Sequence, residues 1–182
     1  MLTLNLAEQE FYDPDKNTFF KSKPAKVQLE HSLISMSKWE SIWEKPFLPI
    51  RNKTKGIETH AQELSYISCM IIGRSEPWFP GTLYRDCGKE IRDYIAHPST
   101  ATTIYNLNER RGTSSIVTTE LIYYWMVRFN IPSEYEKWHI NRLLTLVNIC
   151  NLKEREAAGK NKMTPKAAAR HQYLMNKARG GG

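Results

Sequence analysis

Apolar residues along this chain recur with two periods. Leu121, Ile122, Trp125, Met126 and Phe129 follow the spacing of a helix with one apolar face. Ile131 and Pro132 interrupt that pattern. Ser133 with Glu136 reads as a capping box, which predicts a second helix from there. Between Ile140 and Cys150, positions 140, 143, 144, 146, 147, 149 and 150 are apolar, and Asn141, Thr145 and Asn148 form a thin polar stripe. The stretch from Thr118 to Leu152 is therefore predicted to be a central helical hairpin. Its second arm should be covered on most sides, by its own chain or by another copy.

The N-terminus carries the other period. Leu2, Leu4 and Leu6 alternate with Thr3 and Asn5, as in a half-buried strand. Phe11 and Tyr12, the turn-forming run Asp13-Pro14-Asp15-Lys16-Asn17, and Thr18 to Phe20 predict a hairpin or folded loop, and Val27 and Leu29 suggest a further strand. A capping box of Ser37 and Glu40 then opens a helix that puts Trp39 and Trp43 on one face until Pro46 stops it. A third helix is expected with Ile57, Ala61, Leu64, Ile67 and Ile71 on one side, and a shorter one over Lys89 to Ala96. Gly73 to Gly81, which contains Trp78, is predicted to be a loop. The β-branched runs Thr100–Tyr105 and Ser115–Thr119, separated by a turn carrying Arg110 and Arg111, predict a β-hairpin ahead of the central helices. These elements define a mainly α, α+β chain: a helical domain over 1–152 with an N-terminal β element, and a basic helical tail over 153–182.

Composition sharpens this reading. With 182 residues, 41% hydrophobic and 11% aromatic, the chain has the makeup of a globular protein with a real core. Three widely spaced cysteines, Cys69, Cys87 and Cys150, predict reduced, buried thiols. MLTLNLAEQE lacks the pattern of a secretory leader and no apolar run approaches membrane-spanning length, so the expectation is a protein made and kept in the cytoplasm unless something carries it out. The net charge of +7 resides in one place: from Lys153 onward there are eight basic and two acidic residues, against 18 and 17 in the rest. Thr164-Pro165 can start a helix there, followed by a helix-forming run to Arg179.

Candidate chemistry is sparse. The five histidines are scattered singly and do not make a metal site, and His139 reads as a polar residue at the core margin. GRSEPWFPG lacks the ending of a phosphate loop, and the carboxylate pairs sit at surface spacings. The expectation is a protein without cofactor, metal or catalytic residues. Two functions from different classes remain: nucleic-acid binding through the basic tail, and protein assembly through tryptophan-bearing helices.

Two segments, LEHSLISMSKWESIWEKPF at 29–47 and IVTTELIYYWMVRFNIPSEYEKWHINRLLTLVNICN at 116–151, resemble a family of small tail-region proteins of long-tailed bacteriophages, some described as tail assembly chaperones. The basic end with its MTPK step at Met163 to Lys166 agrees with the same resemblance. It implies an assembly factor in the host cytoplasm that binds the tape measure protein and assists assembly of the tail tube protein. The alternative it leaves is a virion component, such as a head-tail connector or tail-terminator-like ring. On this reading the partner-binding residues are Trp39, Trp43 and Trp78, with Lys162, Lys166, Arg170, Lys177 and Arg179 on the basic arm, and a homo-oligomer remains open.

Overall fold

The computed structural model describes residues 1–21, 23–48, 56–75, 80–102 and 116–157. Their order is β1 (Leu2–Leu6), β2 (Glu10–Asp13), β3 (Thr18–Lys21), β4 (Ala25–Leu29), α1 (Leu33–Trp43), α2 (His60–Met70), β5 (Ile71–Arg74), α3 (Pro80–Ala96), α4 (Thr119–Arg128), a 3-10 turn (Ser133–Lys137) and α5 (Ile140–Ala157). This is the expected α+β class with an N-terminal β element.

The first four strands form one antiparallel ribbon. Leu2 pairs with Leu29, Leu6 with Ala25, Glu10 with Lys21 and Asp13 with Thr18, so partner numbers add to 31 throughout. The turn at its tip suits its sequence, because Asn17 takes the left-handed backbone region that asparagine tolerates (φ 49°). In the near half, alternation puts Leu4, Leu6, Ala25, Val27 and Leu29 into the core.

β5 completes a three-stranded antiparallel sheet of order β1-β4-β5, with a register shift between Gln28 and Leu29. This strand replaces two expectations. Ile71 leaves the helix predicted to contain it, and Gly73 leaves the predicted loop to pair with Gln28. The buried face of α2 is Gln62, Tyr66, Ile67, Cys69 and Met70, whereas Ala61 is exposed. α3 starts at Pro80, well before the expected Lys89, since proline fits a first helical turn and Gly88 is accommodated mid-helix. Trp78 and the rest of 76–79 lie outside the described residues.

Both predicted capping boxes give way to longer-range bonds. α1 begins earlier, with the Ser32 hydroxyl accepting from the Ser35 N–H, and ends at Glu44 in the left-handed region. Glu40 is instead buried and reaches across the chain. One carboxylate oxygen accepts from the Phe47 N–H at 2.7 Å. The other accepts from the Thr119 N–H at 2.8 Å and the Thr119 hydroxyl at 2.5 Å. Thr118 makes no side-chain cap of its own, so α1 supplies the anion that α4 needs at its N-terminus. Ser133 starts only a 3-10 turn, and the Glu136 carboxylate accepts from the Tyr123 hydroxyl at 3.1 Å rather than closing a box.

The predicted second arm of the helical hairpin is α5. Its buried residues are Ile140, Leu143 and Val147, while Leu144, Leu146, Ile149 and Cys150 are half-buried, so it is covered on one side more than on most. The polar stripe divides. The Asn141 amide donates to the carbonyls of Ile95 (3.3 Å) and His97 (2.9 Å), satisfying the free end of α3, and the Thr145 hydroxyl donates to the Asn141 carbonyl. Asn148 is exposed. The expected hairpin at 100–119 falls mostly on 103–115, outside the described residues, and Thr119 begins α4 rather than ending a strand. α5 runs unbroken across the composition change at Leu152 as far as Ala157; the remainder of the basic stretch lies outside the described residues.

Candidate functional site

α1 and α2 pack side by side, and the two tryptophans of α1 join them. The Trp39 indole N–H donates to the Gln62 carbonyl and that of Trp43 to the Ser65 hydroxyl, each at 3.0 Å. Their rings lie 6.3 Å apart. Trp39 is completely buried, edge-on to Phe47 at 5.3 Å, and presents no surface to a partner. This corrects its reading as a gripping residue. Four residues turn a helix by about 400°, so Trp43 sits about 40° round from Trp39 and comes out half-buried at the rim. Of the other predicted partner residues, Trp78, Lys162, Lys166, Arg170, Lys177 and Arg179 lie outside the described residues.

Next to Trp43 a shallow groove of about 410 Å³ runs between the helices, lined by Lys38, Ser41, Ile42, Ser65, Ser68 and Cys69. The hydroxyls of Ser41 and Ser68 donate to carbonyls of their own helices, at Lys38 (2.9 Å) and Leu64 (3.0 Å). They offer a low, self-satisfied floor. Ile42 stands at the edge with 60% of its surface exposed. Burial pushes the Cys69 thiol up, against a smaller opposite pull from Lys38, so it stays protonated. Small residues on adjacent turns allow another helix to approach closely, with Ile42 and Trp43 as apolar contacts.

A second polar cluster lies inside the fold, where β4 meets the start of α5. The Tyr66 hydroxyl donates to His31 Nδ1, and the Tyr94 hydroxyl donates to the Glu30 carboxylate, which also meets the Met1 ammonium at 2.8 Å. The rings of His31 and His139 are 5.0 Å apart, and a β-bridge joins Ser32 to His139. His139 Nε2–H donates to the Tyr94 carbonyl at 3.0 Å, and its Nδ1 accepts from the Asn141 N–H at 3.3 Å, which satisfies the neutral ring. Burial, then the neighbouring His139, pulls His31 down to about 3; burial also lowers His139 and raises both tyrosines. The cluster therefore consists of mutually satisfied neutral rings and hydroxyls around one carboxylate. Such an arrangement joins elements rather than activating a nucleophile.

A cleft of about 210 Å³ between α2 and α3 has Ile67, Ile91 and Ile95 in its wall. At its rim Arg92 stacks over Tyr84 and bonds to its hydroxyl at 3.2 Å. Among the described residues no group of three or more His, Cys, Asp or Glu could hold a metal ion, and no helix is long and apolar enough to cross a membrane.

Sequence reasoning missed Ile42, the exposed α4 residues Tyr124 (57%) and Val127 (80%), and the aromatics at the ribbon tip. One signal was available at the tip. Adjacent strand residues such as Phe19 and Phe20 point to opposite faces, so a single core cannot take both. No family model, curated protein or solved structure matches the chain.

Proposed function

We propose that this protein is an assembly factor of the tail assembly chaperone kind, holding a long helical partner against the groove between α1 and α2. The observation that supports it most is that groove: a floor of small serines flanked by half-buried Trp43 and exposed Ile42. A chaperone for a filament-like helical protein needs shallow apolar contact that can be repeated and released, not a deep pocket. The resemblance of 29–47 and 116–151 supplies the identity of the partners on this reading. They are the tape measure protein and, at the next stage, the tail tube protein, met in the host cytoplasm.

Co-expression with the tape measure protein tests it. The chain should raise the soluble fraction of that protein and co-purify with it, and Ile42→Asp should abolish both while leaving the melting temperature unchanged. Equal solubility with and without the chain would sink the reading. Recovery of the chain in purified particles would favour the virion-component alternative instead. Binding to DNA that falls steeply with salt would favour nucleic-acid recognition by the basic end.

A further inference from the structure

The ribbon changes character halfway along while keeping its register. β5 pairs only with Val27 to Leu29, so the half formed by β2 and β3 extends past the sheet. Every residue of β3 is exposed; Phe19 (69%), Phe20 (47%) and Tyr12 (51%) hold large apolar area in solvent. Phe19 and Tyr12 contact each other at 5.2 Å, and the Tyr12 hydroxyl donates to the Asn17 side chain at 2.6 Å, which stiffens the tip. At the waist, Gln9 donates to Asp86 and accepts from Arg85 at 3.3 Å, fixing the ribbon to α3.

The charge there opposes that of the chain as a whole. Residues 8–21 contain four acidic and two basic residues, and Lys21 is already paired with Glu8 at 3.1 Å. Aromatic faces beside carboxylates suit ammonium and guanidinium groups, which gain cation–π and ionic contacts together. A segment of that chemistry belongs to this same chain: from Lys153 to Arg179, eight basic residues stand against two acidic ones. We infer that the outer half of the ribbon is a docking arm for the basic C-terminal stretch of a second copy of this chain. Two copies exchanging arm and basic stretch make a closed two-fold pair, since each supplies both halves of the contact. The inference is independent of the α1–α2 groove.

Sedimentation velocity on the purified full chain, without any partner, decides it. A dilution series at low salt should show a monomer–dimer equilibrium that moves toward monomer as salt rises. Glu8→Lys with Glu10→Lys in the arm should weaken self-association by on the order of tenfold or more, as should Lys166→Glu with Arg170→Glu in the basic stretch. Circular dichroism melts should show both variants folded. Mixing the two variants should restore a one-to-one pair weaker than the wild-type dimer, held by the one contact that keeps both wild-type halves, the basic stretch of the arm variant on the acidic arm of the other. The inference is overturned by a wild-type chain that stays monomeric throughout, by a dimer indifferent to both variants, or by a mixture that does not pair.

Discussion

The near and far halves of the N-terminal ribbon share one register and one alternation, yet one half is core and the other is solvent-exposed. In the near half Val27 and Leu29 are fully buried, because β5 lies on one side and the helices cover the inner face. In the far half the ladder continues through Glu10–Asp13 and Thr18–Lys21, and among the described residues nothing comparable lies over it. Strand pairing therefore does not decide burial in this molecule. What decides it is whether later parts of the chain come back to cover the strand.

That contrast can be broken at the core. Leu29→Ala should lower unfolding free energy by about 4 kcal/mol, measured by urea denaturation, since a fully buried leucine leaves both lost contacts and a cavity. A loss under about 1 kcal/mol would mean that the near half is not core. Glu40→Ala should cost about 3 kcal/mol, because it strips the Phe47 and Thr119 N–H groups of their acceptor in a buried place. Glu40→Gln should recover only part of that loss, because its one amide oxygen can accept on the Phe47 side or the Thr119 side while its NH2 faces an N–H on the other; full recovery would mean that one of the two sets of bonds is dispensable.

Acid acts next. His31 has its pKa lowered to about 3 in the fold, against 6.5 for a free histidine. The unfolded chain thus takes up a proton that the native one refuses as pH falls below the free value. Stability contributed by the neutral ring is complete above about pH 7 and declines by about 2 kcal/mol on going to about pH 5. His139, lowered in the same direction, adds to the decline. His31→Gln should flatten the dependence of the urea midpoint on pH, and an unchanged slope would remove His31 as its source. The smallest effect belongs to the far half: Phe19→Ser should alter stability by less than about 0.5 kcal/mol in the same assay, as expected at a site 69% exposed.

Much of the fold was legible where the signal is local. The Asp13–Asn17 turn, the alternation of Leu2, Leu4 and Leu6, and the helix around Trp125 and Met126 all rest on neighbours within a few residues. The register was not legible: the alternation marked Leu2, Leu4 and Leu6 as one strand and Val27 and Leu29 as another, but their pairing is a contact across about 20 residues that no local signal specifies. β5 was hidden because Ile71 continues the apolar rhythm of α2 and Gly73 reads as a breaker; only pairing with β4 makes that stretch a strand. Glu40 was misassigned for a related reason. Its spacing from Ser37 imitates a cap, while its real partner, Thr119, is 79 residues away. For the groove, the four-residue spacing of Trp39 and Trp43 correctly put both on one side of a helix. It could not say which would be enclosed, because that depends on how α1 is rotated against α2.

The same separations set an order of events during folding. The turn at Pro14 to Asn17 closes over a few residues, and loops of that size form orders of magnitude faster than contacts between distant parts of a chain. The ribbon can zip from its tip toward Leu2 and Leu29 before any helix has docked, giving β5 and α1 a preformed edge to join. The bond from Glu40 to Thr119 joins residues 79 apart and so carries a larger closure cost than the turn. A chain emerging N-terminus first would thus present both strands of its hairpin before the helices that hold the near half in the core, and a hairpin alone is marginal in water.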